Sequence, residues 1–475
     1  MTLHNQIARN SIIQLVGKLI SLALGLISVA IMTRYLGQEG FGYYSTVIAF
    51  LQFFGILVDF GLSLTTIQMI SKPGVDLSRT MNAIMSFRTI TAAVFLVFAP
   101  VVVWFFPYNI FIKLGVLITV ASFFCLSLIQ TVTGVFQQKL KIWELTLAEV
   151  IGRSFLVGLT LAAVLLNKNI YWIFGAISIA NIINLIIVLF YSKQYVNWRW
   201  QVDWQVWKEI VRRTWPMALS ISFNLIYLKM DTIILSLART QAEVGLYGAT
   251  YRVVDVLTMM PAVFMGIILP VIGRYFHENN REGLRHILQK AFDVLMIFAA
   301  PIIVGTFVVG RGVMTLIAGP DFAFSGEILK VLIFACAAIF GTSLFGYAIV
   351  GIEKQRTIMW CYLTTAALTL IGYLLFIPKY GVWAAAGMTV FSEVMVMIWS
   401  AVVLYRALKF FPSLAKTAKA LLAAGVMFFA LYIFRDWHVI FLLALAGFVY
   451  FPVLYLLGGF KKEMIVGLLK NKIEN

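Results

Sequence analysis

Apolar stretches of about twenty residues recur along the whole chain, separated by short connectors in which most charged side chains collect. Residues 89–112 contain no Asp, Glu, Lys or Arg, and neither do residues 357–378. A run of this length is what an α-helix needs to cross about 30 Å of hydrocarbon. The pattern predicts helices near 11–34, 42–66, 80–104, 113–135, 146–167 and 170–191. It predicts a second set near 214–238, 243–270, 289–310, 327–351, 357–377 and 381–405, and a final pair near 415–434 and 438–458. The expected fold is an all-α polytopic membrane protein of about fourteen transmembrane helices.

Composition agrees: 62% of the residues are hydrophobic and only 12% are charged, too few to cover the exterior of a 475-residue soluble protein. The net charge of +17 would point to nucleic acid in a soluble chain. In short membrane loops it reports orientation, because Lys and Arg stay on the cytoplasmic side. With both termini cytoplasmic, the inside segments hold 24 of the 37 Lys and Arg and the outside loops hold 7. Each outside loop has a single cation, and most inside loops have two to five. This bias predicts an even number of spans and two cytoplasmic termini, and no nucleic-acid partner. The segment 192–213 interleaves Trp198, Trp200, Trp204 and Trp207 with Lys and Arg, as expected of an amphipathic piece on the headgroups.

The chain also resembles itself. Arg34, Glu39 and Gly40 precede the second span with the spacing that Arg239, Glu243 and Gly245 nearly repeat before the eighth. A weaker echo links Gly134 to Lys141, after the fourth span, with Gly351 to Arg356, after the tenth. Two six-helix lobes of like orientation follow, residues 1–191 and 214–405. They are joined by a cytoplasmic linker at 192–213 and followed by a terminal helix pair and tail at 406–475. Parallel repeats of this kind occur in transporters that rock two halves about a central site.

Ionisable groups inside spans are costly and mark either a pathway or a buried pair. Here they are Lys18, Arg88, Arg153, Lys229, Arg252 and Lys330, with Asp59, Glu149, Asp231, Asp255 and Glu393. Gln14, Lys18, Ser21, Gly25 and Ser28 recur at steps of three and four, so they share one helix face. Ser220, Asn224, Tyr227 and Asp231 repeat that pattern, and Ser45, Gln52, Asp59 and Thr66 form a third stripe. Polar stripes must face protein or water and not lipid. A hydrated cavity and tight interhelical packing both satisfy that requirement. Glu149 with Arg153 and Arg252 with Asp255 stand at ion-pair spacing on their own helices. Lys18, Arg88 and Lys229 have no such local partner.

The opening Asn10-Ser-Ile-Ile-Gln-Leu-Val-Gly-Lys18, the turn Thr33-Arg-Tyr-Leu-Gly followed by Gly40-Phe-Gly-Tyr43, and Asp59-Phe-Gly-Leu62 resemble the polysaccharide transporter family. Its members are O-antigen and exopolysaccharide flippases of the multidrug/oligosaccharidyl-lipid/polysaccharide exporter superfamily. The resemblance implies a bacterial inner-membrane protein that carries undecaprenyl-diphosphate-linked oligosaccharide outward by alternating access. It also implies membrane lipids as surroundings, H⁺ or Na⁺ as a driving ion and polysaccharide polymerase machinery as a neighbour. For such an anionic cargo the candidate contacts are Lys18, Arg88, Arg252, Lys229 and Arg153, since ammonium and guanidinium groups bind phosphate. Asp59, Asp231 and Asp255 are candidates for the coupling ion, and Gln14, Ser21, Gln52 and Asn224 for the polar cavity wall. A multidrug exporter of the same superfamily is the alternative, and an integral-membrane polymerase a more distant one. Neither a cofactor nor a metal is expected: the four histidines lack ligand spacing and no phosphate-cradling Gly-Lys-Ser/Thr loop is present. No catalytic residue is assigned.

Overall fold

A computed structural model describes residues 3–72 and 74–459, and within them the side chains of all but 3–15, 64, 215–228 and 355–356. Among the described residues every regular element is helical. The first elements are α1 (Leu3–Asp59), α2 (Leu62–Ile70), α3 (Leu77–Trp104), α4 (Ile110–Gln138), α5 (Ile142–Leu165), α6 (Ile170–Ser192) and α7 (Trp204–Ala238). They are followed by α8 (Gln241–His277), α9 (Arg281–Ala318), α10 (Ser325–Gly351), α11 (Gln355–Tyr380), α12 (Val382–Leu408), α13 (Ala415–Ile433) and α14 (Val439–Leu456). Among the described residues, 12 helices are long and apolar enough to cross a membrane. Large apolar side chains such as Phe429, Ile433, Phe441 and Phe448 are exposed on α13 and α14, a surface suited to acyl chains and not to water.

Helix α1 carries two of the expected spans. It bends at Gly37, where φ is 63° and ψ is −172°, a conformation that a residue with a Cβ adopts only under strain. Thirteen of the fourteen expected spans each fall on one helix once α1 is divided there. The expected continuous helix at 42–66 is corrected: Phe60 and Gly61 take left-handed φ values of 39° and 79°, which end α1 at Asp59 and start α2 at Leu62. Helices α8 and α9 run through Pro261, Pro270 and Pro301 without a break in the helix.

The echo between the ends of the fourth and tenth spans has a common geometry. After α4, Leu140 is left-handed (φ 55°) and Lys141 N donates back to Phe136 O at 2.8 Å. After α10, Glu353 is left-handed (φ 59°) and Lys354 N donates to Ile349 O at 3.0 Å. Both helices thus close with the same six-residue return, which satisfies a terminal carbonyl.

The chain divides into two compact units, Met1–Gly248 and Ala249–Asn475. In the first, α1 packs on α4, α5, α3 and α7, and α4 packs on α6. The head of α8 belongs to this unit and lies against α1 just beyond the Gly37 bend. A Cβ on Gly42 would overlap the Gln241 carbonyl, and one on Gly245 would overlap the Gln38 carbonyl. Thr46 Oγ1 donates to Gln241 Oε1 at 2.8 Å beside this contact. The two copies of the repeated glycine turn therefore touch backbone to backbone. In the second unit α10 packs on α12 and α9, α11 on α12, and α13 and α14 on α9.

The connector from α6 to α7, part of the segment whose four tryptophans are expected to meet headgroups, mostly lacks regular structure and is strapped to α3. Asn82 donates to Asn197 O and accepts from Arg199 N, and Ser86 Oγ accepts from Gln201 N. Trp198 donates to Ser192 Oγ and Trp207 to Ala83 O, so two of the four indoles turn toward protein while Trp200 and Trp204 remain exposed. Arg79 grips Asp203 with two hydrogen bonds of 3.0 and 2.7 Å. Those bonds, with the amides of Val206 and Gln205 at the start of α7, hold the Asp203 carboxyl below the usual carboxylate range.

Candidate functional site

The polar face of α1 meets α5 in a seam built from small residues. A Cβ on Gly17 would overlap the Thr146 methyl, so glycine there permits the close approach. One residue on, Lys18 Nζ lies 3.0 and 3.2 Å from the two carboxylate oxygens of Glu149, and Ser21 Oγ donates to the same group at 2.8 Å. Arg153 stands one helical turn along α5 from Glu149 and is exposed, with a guanidinium nitrogen 3.8 Å from where a Gly25 Cβ would be. The expected Glu149–Arg153 pair is therefore corrected: the near partner of Glu149 is Lys18, and Arg153 acts on it only through space. Two cations share one carboxylate, which leaves the seam one positive charge in excess. Lys18 remains 42% exposed and Glu149 27%, so the cluster reaches the surface of its unit.

Arg88, expected to line a cavity, is instead fully enclosed, with 0% of its side chain exposed. Its Nε donates to Ser127 O, Nη1 to Val58 O, and Nη2 to both Asp59 Oδ1 and Gln130 Oε1, at 2.9 to 3.1 Å. The reason lies in the break after Asp59. Ending a helix there frees its last carbonyls, and buried ones need a donor. Arg88 supplies it for Val58 and neutralises Asp59 in the same step. With four of its five N–H donors spent on protein and its side chain fully enclosed, Arg88 is closed to a phosphate in this conformation. Asp59, a coupling-ion candidate, is its counter-ion and accepts Ser63 Oγ as well.

Asp231, the described end of the seventh-span stripe, is buried. It accepts Tyr247 Oη at 2.8 Å and the hydroxyl and amide of Thr232. Lys229, two residues earlier, is half-buried. Gln52 is half-buried too, whereas the side chains of Gln14 and Asn224 lie outside the described residues. In the second unit Arg252 and Asp255 stand 3.9 Å apart, a loose pair with Asp255 52% exposed. The structure thus brings Lys18 and Ser21 beside Arg153, and Arg88 against Asp59. It puts Arg252 and Asp255 in a different unit. Sequence spacing missed Glu149 as the partner of Lys18, Gln130 as that of Arg88 and Tyr247 as that of Asp231, since each contact joins different helices.

The model of one family, described as "Polysaccharide biosynthesis protein", matches residues 7–276, more than half of the chain. The chain belongs to that family. A relative in Haloferax volcanii, "Probable low-salt glycan biosynthesis flippase Agl15", is 22% identical over 171 residues, which make up 35% of each protein. The "Putative O-antigen transporter" of Shigella dysenteriae is 22% identical over 193 residues, 40% of this chain and 47% of that one. The chain thus spans less than half the length of these relatives. Among solved structures it is similar to the lipid II flippase MurJ in an inward closed conformation, with a TM-score of 0.77 and 15% identity over 93% of this chain and 98% of the other. A multidrug resistance MATE family transporter in an inward-facing conformation gives a TM-score of 0.62 and 13% identity over 84% and 98%. The polysaccharide biosynthesis family member therefore shares the fold of these solved structures, and its multi-pass membrane character follows from that fold and from its apolar helices.

Proposed function

We propose that this member of the family is a flippase that carries undecaprenyl-diphosphate-linked oligosaccharide across the bacterial inner membrane by alternating access, for assembly of a surface polysaccharide. Both termini are cytoplasmic on this reading, and the lobes are the expected 1–191 and 214–405. The observation that carries it is the seam of Lys18, Glu149, Ser21 and Arg153. An unaided diphosphate would pay tens of kcal/mol to enter hydrocarbon by a Born calculation. A surface-reaching cluster with one excess positive charge lowers that barrier, with Arg153 as a planar fork and Lys18 as a movable point charge. Glu149 keeps Lys18 compensated while no anion is bound and yields it when phosphate arrives. The names of the glycan flippase and O-antigen transporter relatives support the same cargo class. The oligosaccharide travels in water between helices while the polyprenyl tail stays in lipid, a proton or Na⁺ resets the cycle, and polymerase machinery consumes the product.

Deleting the gene in its native host tests the proposal. Unpolymerised lipid-linked oligosaccharide should accumulate on the cytoplasmic leaflet and surface polymer should disappear, both restored by the wild-type gene. Unchanged polymer and no accumulated intermediate would refute it.

A further inference from the structure

Glu393 stands apart from the other acids in the spans. It lies within α12 and is 4% exposed. Glu149 has Lys18, Asp59 has Arg88, Asp231 has Tyr247 and Asp255 has Arg252. Among the described residues no hydrogen-bond donor or cation pairs with Glu393. The neighbouring hydroxyls are engaged elsewhere: Ser392 donates to Thr389 O, and Thr389 bonds to Ala385 O and to Tyr251 Oη. The titratable and charged groups facing this region are Cys336 on α10, Cys361 and Tyr362 on α11, and Tyr251, Arg252 and Asp255 on α8. Glu393 and Asp255 both lie near Cys336, the first enclosed and the second half-exposed.

An ionised carboxylate with no counter-charge in such a place costs far more than the same group carrying a proton. A structural acid would be expected to have a partner, as each of the other four has. We propose that Glu393 is the proton-binding site that couples transport to a proton gradient, carrying its proton while enclosed and releasing it when α12 is wetted. On release the Oε–H bond breaks, the proton passes to water or to the Asp255 carboxylate, and an anionic Glu393 is left until it is reprotonated. A proton is a better fit than Na⁺, because a metal ion needs several oxygen ligands and no cluster of acids gathers at Glu393 among the described residues. The inference rests on the transport reading above and names its coupling ion and residue.

The test uses full-length wild type, Glu393→Gln and Glu393→Asp in proteoliposomes. The first readout needs no cargo: the infrared spectrum at neutral pH should show a protonated-carboxyl C=O stretch that Glu393→Gln loses and Glu393→Asp keeps. The second uses lipid-linked oligosaccharide extracted from the deletion strain. One pH unit is worth about tenfold per coupled proton. An imposed gradient of that size should therefore shift the wild-type distribution by about tenfold, and that of Glu393→Gln by a factor near one. Identical infrared spectra, or a wild-type gradient response in Glu393→Gln, would overturn the proton site. Failure of the wild type to move the oligosaccharide under any gradient would instead refute the flippase reading, with the infrared comparison still deciding whether Glu393 holds a proton.

Discussion

Lys18 and Glu149, 131 residues apart in the chain, meet with Nζ 3.0 Å from Oε2 and tie the polar face of α1 to α5. The pair is partly exposed, so its contribution to stability is small, about 1 kcal/mol or less. Its importance lies in the position of the cations. Lys18→Ala and Arg153→Ala should each reduce surface polymer by about tenfold or more, as expected from losing a charge-assisted hydrogen bond of about 1.5–3 kcal/mol. Membrane insertion should be retained, and Lys18→Arg should keep most of the activity. Quantifying polymer against membrane protein level checks this, and wild-type polymer from both alanine variants would remove the seam from the transport path.

Arg88 should behave differently. Replacing it with Ala leaves Asp59 and the Val58 and Ser127 carbonyls without their donor in a buried place, which costs about 3–5 kcal/mol for a broken buried pair. Arg88→Ala should therefore lose thermal stability and abundance in the membrane along with transport. A variant of normal abundance and unfolding temperature that fails only in export would contradict a structural role.

The glycine contact makes a steric prediction. Gly42→Ala and Gly245→Ala place a methyl group against a facing backbone carbonyl and should each destabilise by about 1–3 kcal/mol. Gly158, with no atom within 4 Å of a Cβ, is the control, and Gly158→Ala should be neutral or slightly stabilising. Thermal unfolding in detergent separates the two cases.

The strap on α3 should be sensitive to acid. Arg79 holds the Asp203 carboxyl below its ordinary range in the folded protein. A group whose folded pKa is lowered contributes its full stability above the unfolded value, near 4, and loses it as pH falls through the lower folded value. The gap in unfolding temperature between wild type and Asp203→Asn should be largest at neutral pH, close below about pH 4, and narrow with added salt. A gap independent of pH would show that the carboxylate charge does not matter there.

The spans were legible because hydrocarbon thickness sets helix length: α4 was expected at 113–135 and runs Ile110–Gln138. The break at Phe60 and Gly61 was not, since apolar residues continue across it and hydropathy does not register a reversal of φ. Partnerships between charges were legible only along one helix, where spacing fixes geometry. That rule chose Arg153 for Glu149, and a lysine on another helix competed successfully. The enclosure of Arg88 was hidden for a related reason: its need arises from a helix end that the sequence did not reveal. The glycine turns were visible as a repeat, but their mutual contact became evident only in three dimensions.

That contact has a mechanical consequence. Where Gly42 faces Gln241 and Gly245 faces Gln38, the two rods meet through peptide groups with no side chain between them, flanked by the enclosed rings of Phe41 and Tyr247. The spacing of the rods is therefore set there by main-chain atoms alone, and one added carbon is enough to push them apart.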